Sequence, residues 1–306
     1  NMAETLIIKR ISNDFDEYVA RQLFYELNNV IVKDVFRFGG RIGRRIIKVL
    51  KQSESETLFG LSLLVTKEEL AKFTTIILFD DYPDIKLLQY LRKNTNNCDI
   101  KLWFWNVPNY DIDKYRKYCS MYCFDQKFCK EHSIKYIDQF YFSSAALTSD
   151  YPITNDVVFV GIDKNRNKLL SEIADKFDLI NLNYQFRLIA AESTTDARIE
   201  YEKEPLKYSE VVDICLSSKA ILELVTDNQR GLTWRALEAL FFHKKLITNN
   251  KSIIDFDFYN RNNIFIYGQD NICTLREFID QPFVEIDDKI TEKYTVQCWY
   301  KRIMED

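Results

Sequence analysis

The chain has 306 residues, of which 46% are hydrophobic and 29% charged, and a formal net charge of −4. That balance belongs to folded globular proteins and excludes the disordered and fibrous classes, while the length allows two domains of ordinary size. No apolar run approaches the roughly 20 residues that cross a bilayer, and the N-terminus lacks the charged-then-apolar pattern of a secretory signal, so a cytoplasmic protein is expected.

Residues 1–150 hold 22 Lys and Arg against 20 Asp and Glu, and the remainder holds 20 against 26. Neither half is basic enough to bind nucleic acid as its main business. The seven cysteines are odd in number and scattered, which suits reduced thiols better than a disulfide framework. The densest group, Cys119, Cys123 and Cys129, matches no common zinc spacing. The chain offers only two histidines, His132 and His243, so no metal site is expected.

In chain order, NVIVKDVF (29–36) reads as a strand and RIGRRIIKVLK (41–51) as a helix. In that helix Arg41, Arg44, Arg45, Lys48 and Lys51 recur at helical spacing beside Ile42, Ile46, Ile47 and Leu50. Two readings fit: a peripheral contact with the anionic inner membrane surface, or a core-packed helix with a solvated basic face. TTIILFDD (74–81) and IKLWFWN (100–106) are strands, with a helix over 83–94 between them. A polar segment, SSAALTSDYPITN (143–155), separates the halves, giving an N-terminal domain over 1–150 and a C-terminal domain over 151–306.

From residue 156 the pattern alternates. Strands are expected at 156–162, 186–191, 220–225, 245–249 and 263–268, and helices at 167–177, 208–218, 232–242 and 274–280. Continuous apolar strands alternating with amphipathic helices indicate a parallel sheet covered on both faces. The last segment, 289–306, places Ile290, Tyr294, Val296, Trp299 and Ile303 on roughly one face, a helix that should dock on its own domain or on the N-terminal one. The fold class is therefore α/β, with two Rossmann-like domains facing across a cleft.

Ligands of open α/β sheets bind beyond the carboxyl ends of the strands. After FVG comes IDKNR, bringing Asp163, Lys164 and Arg166 to the rim. After AILELV comes TDNQRGLT, with Asp227, Gln229, Arg230, Gly231, Leu232 and Thr233 leading into a helix that holds Glu238. Two cations, a glycine at a helix start and a carboxylate suit a nucleoside diphosphate: backbone N–H groups and cations take the phosphates, and the carboxylate accepts from ribose hydroxyls.

The block SKAILELVTDNQRGLTWRALEALFFHKKLITNN (218–250) resembles the donor-binding segment of GT-B glycosyltransferases, particularly bacterial enzymes of capsule and lipopolysaccharide assembly. FVGIDKNR (159–166) resembles the first strand and loop of the same domain. LWFWNVP (102–108) and CFDQKFCKEHSIKY (123–136) look more loosely like segments of polysaccharide glycosyltransferases. The resemblance implies a nucleotide-sugar, a UDP-sugar, bound on the second domain, and a glycan or lipid-linked acceptor on the first. It assigns the ribose to Glu238, the departing diphosphate to Lys164 and Arg166, and phosphate support to residues 230–233. No cofactor beyond the donor and no metal is then required, because fixed cations and helix N–H groups can bear the leaving charge.

Many retaining members carry two glutamates separated by seven residues, and Arg230 stands where the first would be. Both stereochemical outcomes stay open. An inverting reaction wants a base near the acceptor, for which Asp80 and Asp81 at a strand end are the candidates, with Asp34 and His132 behind them. GGRIG (39–43) reads as a flexible turn or as part of the acceptor side; it lacks the spacing of a dinucleotide-binding glycine turn. The competing class is a catalytically silent GT-B-like protein that binds a partner or a membrane surface, which the missing first glutamate would favour.

Overall fold

The computed structural model describes residues 5–38, 40–52, 55–80, 84–95, 97–145, 151–190, 192, 195–226 and 231–305. The chain divides into two compact units: unit 1 is Asn1–Asp138 with Trp299–Asp306, and unit 2 is Gln139–Cys298.

Unit 1 is built on β1 (Thr5–Ile8), β2 (Val30–Lys33), β3 (Thr75–Phe79), β4 (Asp99–Phe104), β5 (Ser120–Cys123) and β6 (Lys135–Tyr136). They form one sheet in the order β2-β1-β3-β4-β5-β6, every pair parallel. Helices α1 (Asp14–Glu26), α2 (Gly40–Gln52), α3 (Glu56–Ser62), α4 (Lys67–Leu70), α5 (Ile85–Asn94) and α6 (Gln126–His132) connect them. Their starts follow ordinary capping chemistry. Asn13 accepts the Asp16 N–H at 2.9 Å ahead of α1, and Asp14, Asp16 and Glu17 put negative charge at its positive end. Strands β1 and β3 are buried on both faces, which is why each is apolar throughout after its opening threonine.

The GGRIG stretch is helical rather than a turn over its described residues: Gly40 opens α2 and Gly43 lies in its first turn. A Cβ at Gly43 would stand 2.7 Å from the Phe38 carbonyl carbon, so the glycine permits close approach of two backbones. Gly43→Ala is expected to cost about 1–3 kcal/mol in forced backbone displacement, read as faster amide exchange in α2.

Unit 2 is built on β7 (Asn155–Ile162), β8 (Tyr184–Ile189), β9 (Ile199–Glu202), β10 (Ser218–Glu223), β11 (Lys245–Thr248) and β12 (Ile264–Ile266). Its sheet runs β12-β11-β10-β7-β8-β9, again parallel throughout. Helices α7 (Asn167–Leu179), α8 (Tyr208–Leu216), α9 (Trp234–Phe241), α10 (Leu275–Asp280) and α11 (Asp288–Glu292) cover it. One core cluster joins Val157, Phe159, Phe177, Phe186, Leu222 and Ile247. The order reverses between β7 and β10: the chain first builds outward to β9, then returns beside β7 and builds the other way.

The final helix, α12 (Val296–Glu305), begins in unit 2 and continues into unit 1. Inside unit 1, Trp299 is 1% exposed and meets Trp103 edge to face at 5.6 Å and Phe79 at 5.8 Å between ring centroids. Tyr300 donates its hydroxyl to Thr5 at 2.7 Å, and Arg302 pairs with Asp138. No helix of the described residues is long and apolar enough to cross a membrane.

Candidate functional site

In a doubly wound sheet the loops that leave the carboxyl ends of the two strands flanking the reversal diverge, and the crevice between them is the usual ligand site. In unit 2 those strands are β7 and β10, and their loops carry most of the residues expected from the sequence.

Beyond β7 the turn is held by Asp163, whose carboxylate accepts the Arg166 N–H at 3.0 Å and the Asn167 N–H at 3.1 Å. Lys164 and Asn165 stand consecutively in the left-handed region, at φ 38° and 64°. Two such residues in sequence are costly without glycine, and this loop keeps its shape against that cost. Lys164 is exposed. Arg166 is half-buried at the start of α7 and donates through one terminal nitrogen to the Ile162 carbonyl at 3.1 Å. Among the described residues its buried Nε–H meets no acceptor. Burial lowers its pKa, with Glu223 nearby pulling the other way. A guanidinium donor of this kind can hydrogen-bond an anion.

Beyond β10 the strand ends on Glu223, 3% exposed. Its carboxylate accepts the hydroxyls of Thr233 and Thr248. Thr233 also caps α9 by accepting the Ala236 N–H at 3.3 Å, so Glu223 ties the helix start to the strand end. Burial raises the Glu223 carboxyl pKa, opposed by the two threonine hydrogen bonds and by Arg235 and Arg166. Gly231 and Leu232 are buried immediately ahead of the cap. Asp227, Gln229 and Arg230 lie outside the described residues. Asn249 joins the ends of β10 and β11, accepting the Val225 N–H at 2.7 Å and donating to its carbonyl at 3.0 Å.

Glu238 is on α9 as expected but does not open on solvent: it is 1% exposed. Tyr208 of α8 donates to one carboxylate oxygen at 2.7 Å, and Arg235, one turn earlier, pairs with the other. The Tyr208 hydroxyl in turn shares a 2.7 Å hydrogen bond with Tyr141. Arg235 also reaches the Val160 carbonyl of β7 at 3.3 Å, so the pair crosses from the helix to the sheet. Burial pushes the Glu238 carboxyl up, while Arg235 and Tyr208 pull it back. Burial opposes the Arg235 charge, and Glu238 more than restores it.

In unit 1, Asp80 follows β3 and accepts the backbone N–H groups of Trp105 at 2.9 Å and Asn106 at 3.2 Å. It fastens the end of β4 to the end of β3. Asp81 lies outside the described residues. Asp34 accepts the Val35 N–H at 2.6 Å and its carboxyl is raised by burial. His132 ends α6, its ring packed on Phe128 at 4.2 Å. The structure thus gathers Lys164, Arg166, Gly231, Leu232 and Thr233 around one strand reversal. It sets Glu238 beneath that rim, and Asp80, Asp34 and His132 in the other unit.

Sequence reasoning missed Glu223, Arg235, Tyr208 and Tyr141. Arg235 and Glu238 show a legible i,i+3 spacing inside an apolar helix, and Glu223 is a carboxylate closing a buried strand. Neither tyrosine carries any local signal. Among the described residues no group of three or more His, Cys, Asp or Glu is placed to hold a metal ion.

No model of a protein family matches the sequence. No curated protein matches it either. Solved structures do match along nearly the whole chain. HepE of Anabaena, in complex with UDP-glucose, is similar at a TM-score of 0.59 and 9% identity, covering 98% of each chain. A glycosyltransferase of Rickettsia africae is similar at 0.56 and 12% identity, covering 100% of this chain and 97% of its own. The N-terminal domain of trehalose-6-phosphate phosphatase from Candida albicans is similar at 0.59 and 11% identity, covering 99% and 98%. What the chain shares with them is the fold, the two-domain α/β architecture of GT-B type that the sequence led us to expect.

Proposed function

We propose that the protein is a glycosyltransferase that binds a UDP-sugar on unit 2 and passes the sugar to an acceptor hydroxyl in bacterial surface polysaccharide or lipopolysaccharide assembly. The observation that carries this reading is Arg166, a guanidinium whose buried Nε–H lacks an acceptor among the described residues, on the loop after β7 where the strand order reverses. A donor diphosphate supplies that acceptor. The same fold in HepE, whose structure contains UDP-glucose, supports the reading.

In the proposed reaction the bond between the sugar C1 and the diphosphate oxygen breaks and the electron pair leaves with the diphosphate. Arg166, Lys164 and the backbone N–H groups of residues 231–233 hold that charge, Arg230 standing next to them in the chain, and no metal is required. Glu238 meets the ribose only by exchanging its Tyr208 or Arg235 contact for a ribose hydroxyl. In an inverting course the acceptor oxygen forms the new bond to C1 while Asp80 or Asp81 takes its proton, the two N–H groups already bound by Asp80 favouring Asp81 as the base; the retaining course is the alternative. A lipid-linked acceptor places the reaction at the inner membrane face, with residues 41–51 as the contact. The boundary near residue 150 and a cleft between the domains belong to the same proposal.

The enclosed state of Glu238 favours a second reading, a GT-B-like interaction protein without activity. Thermal unfolding against UDP, GDP, CMP, ADP and dTDP and their sugar conjugates separates the two. A ligand at about 100 times its dissociation constant adds roughly 2.7 kcal/mol, a shift of several degrees. A shift with UDP and its conjugates supports the transferase; no shift with any nucleotide supports the silent protein.

A further inference from the structure

Unit 2 has a second concave site, two strands out from β10 at the edge of its sheet. A cavity of about 350 Å³ is lined by residues of the edge strand β12, of α10 and of the segments leading into them, together with Lys245 at the start of β11. None of Lys164, Arg166, Gly231, Thr233 or Glu238 lines it. The register sets Lys245 beside Ala220, three residues before Glu223 at the rim, so it stands toward the amino-terminal end of the sheet.

Lys245 is 3% exposed. Its ammonium donates to the Asn262 carbonyl at 2.8 Å and to the Phe278 carbonyl in the last turn of α10. Those bonds cap the helix and use two of its three donors. Among the described residues no carboxylate pairs with it, and burial alone lowers its pKa. Carbonyl dipoles stabilise such a charge without neutralising it, and buried charges are ordinarily paired. Also lining the cavity are Arg261, Asn262, Glu277 and Gln281, all exposed, whose side chains have no hydrogen-bond or ion-pair partner among the described residues.

We infer that this cavity binds a phosphorylated monosaccharide, its phosphate between Lys245 and Arg261 and its hydroxyls on Asn262, Glu277 and Gln281. A phosphate ester carries nearly two negative charges and so matches two cations, where a carboxylate matches one and a neutral sugar none. The two amides donate and accept, and Glu277 accepts only, which suits a polyol. The volume falls at the small end of the range for small-molecule sites, about 300–1,000 Å³.

The test is isothermal titration of the full chain with glucose 6-phosphate, glucose and inorganic phosphate, each repeated in saturating UDP. The ester should bind saturably, about tenfold or more tighter than glucose or phosphate, and equally with and without UDP. Arg261→Glu, at an exposed position, should weaken it about tenfold or more and leave the thermal midpoint of the free protein unchanged. Lys245→Met should weaken it as much; if loss of the α10 cap unfolds that variant, Arg261→Glu decides alone. Arg166→Ala should weaken UDP and leave the ester unaffected, so a failed donor site and a failed cavity give different results. No binding of the ester would overturn the inference. So would glucose or phosphate binding as tightly, displacement by UDP, or unchanged binding by Arg261→Glu.

Discussion

Under the proposed reaction, Arg166→Ala is expected to lower kcat/KM for sugar transfer by about 10²–10³-fold and to leave the fold intact. The size follows from removing one preorganised donor from the place where leaving-group charge develops. The fold survives because the only hydrogen bond this side chain makes among the described residues is to the Ile162 carbonyl at the chain surface. The α7 start is held instead by Asp163. Arg166→Lys should recover little of the loss, since a point charge does not replace a planar fork that can bind two oxygens at once. Steady-state kinetics of the purified variants, with circular dichroism as the control for folding, gives the answer. Full activity in the alanine variant would remove Arg166 from the reaction.

The largest stability effect is expected at Arg235, a residue that no reading of the rim motif proposes. Arg235→Ala removes the cation paired with the Glu238 carboxylate, which is 1% exposed in the wild type, and leaves it the Tyr208 hydroxyl. Breaking a buried pair from that side costs about 3–5 kcal/mol, which for a unit of this size lowers the midpoint by about 6–20 °C. Glu238→Ala should cost less, because the Arg235 side chain stays 22% exposed and keeps its hydrogen bond to Val160. Adding Glu238→Gln to Arg235→Ala should restore part of the loss by removing the stranded charge, a coupling that a double-mutant cycle isolates.

The pH dependence has a definite sign. Burial raises the Glu238 carboxyl in the fold, and without Arg235 that rise is larger. A carboxyl whose folded pKa exceeds its unfolded value stabilises the fold below the unfolded pKa, and that contribution is lost as pH rises through the folded value. The deficit of Arg235→Ala should therefore shrink as pH falls toward the ordinary carboxylate range. A deficit independent of pH would mean that lost packing, not the stranded carboxylate, sets its size.

Much of unit 2 was readable because its strands are long apolar runs punctuated by capped helices. The Asn155–Ile162 strand and the Trp234–Phe241 helix lie within a residue or two of their expected bounds. Unit 1 was less readable for physical reasons. Its β1 strand, Thr5–Ile8, between β2 and β3 in the sheet, is four residues long and too short to show a period. Ser120–Cys123 mixes polar and thiol side chains although three of its four residues are buried. At the rim, the positions of Lys164, Arg166 and Gly231 follow from strand ends and were accessible to sequence reasoning. The state of Glu238 was not, because it depends on Tyr208 thirty residues away and on a charge partner that looks like an ordinary helix-surface arginine.

The central claim is that a nucleoside diphosphate binds at the reversal between β7 and β10. Isothermal titration of UDP into the wild-type protein and into Arg166→Ala tests it most directly. The account predicts saturable binding to the wild type and a loss of at least tenfold, about 1.4 kcal/mol, in the variant. No binding to the wild type, or equal binding to both, would contradict it.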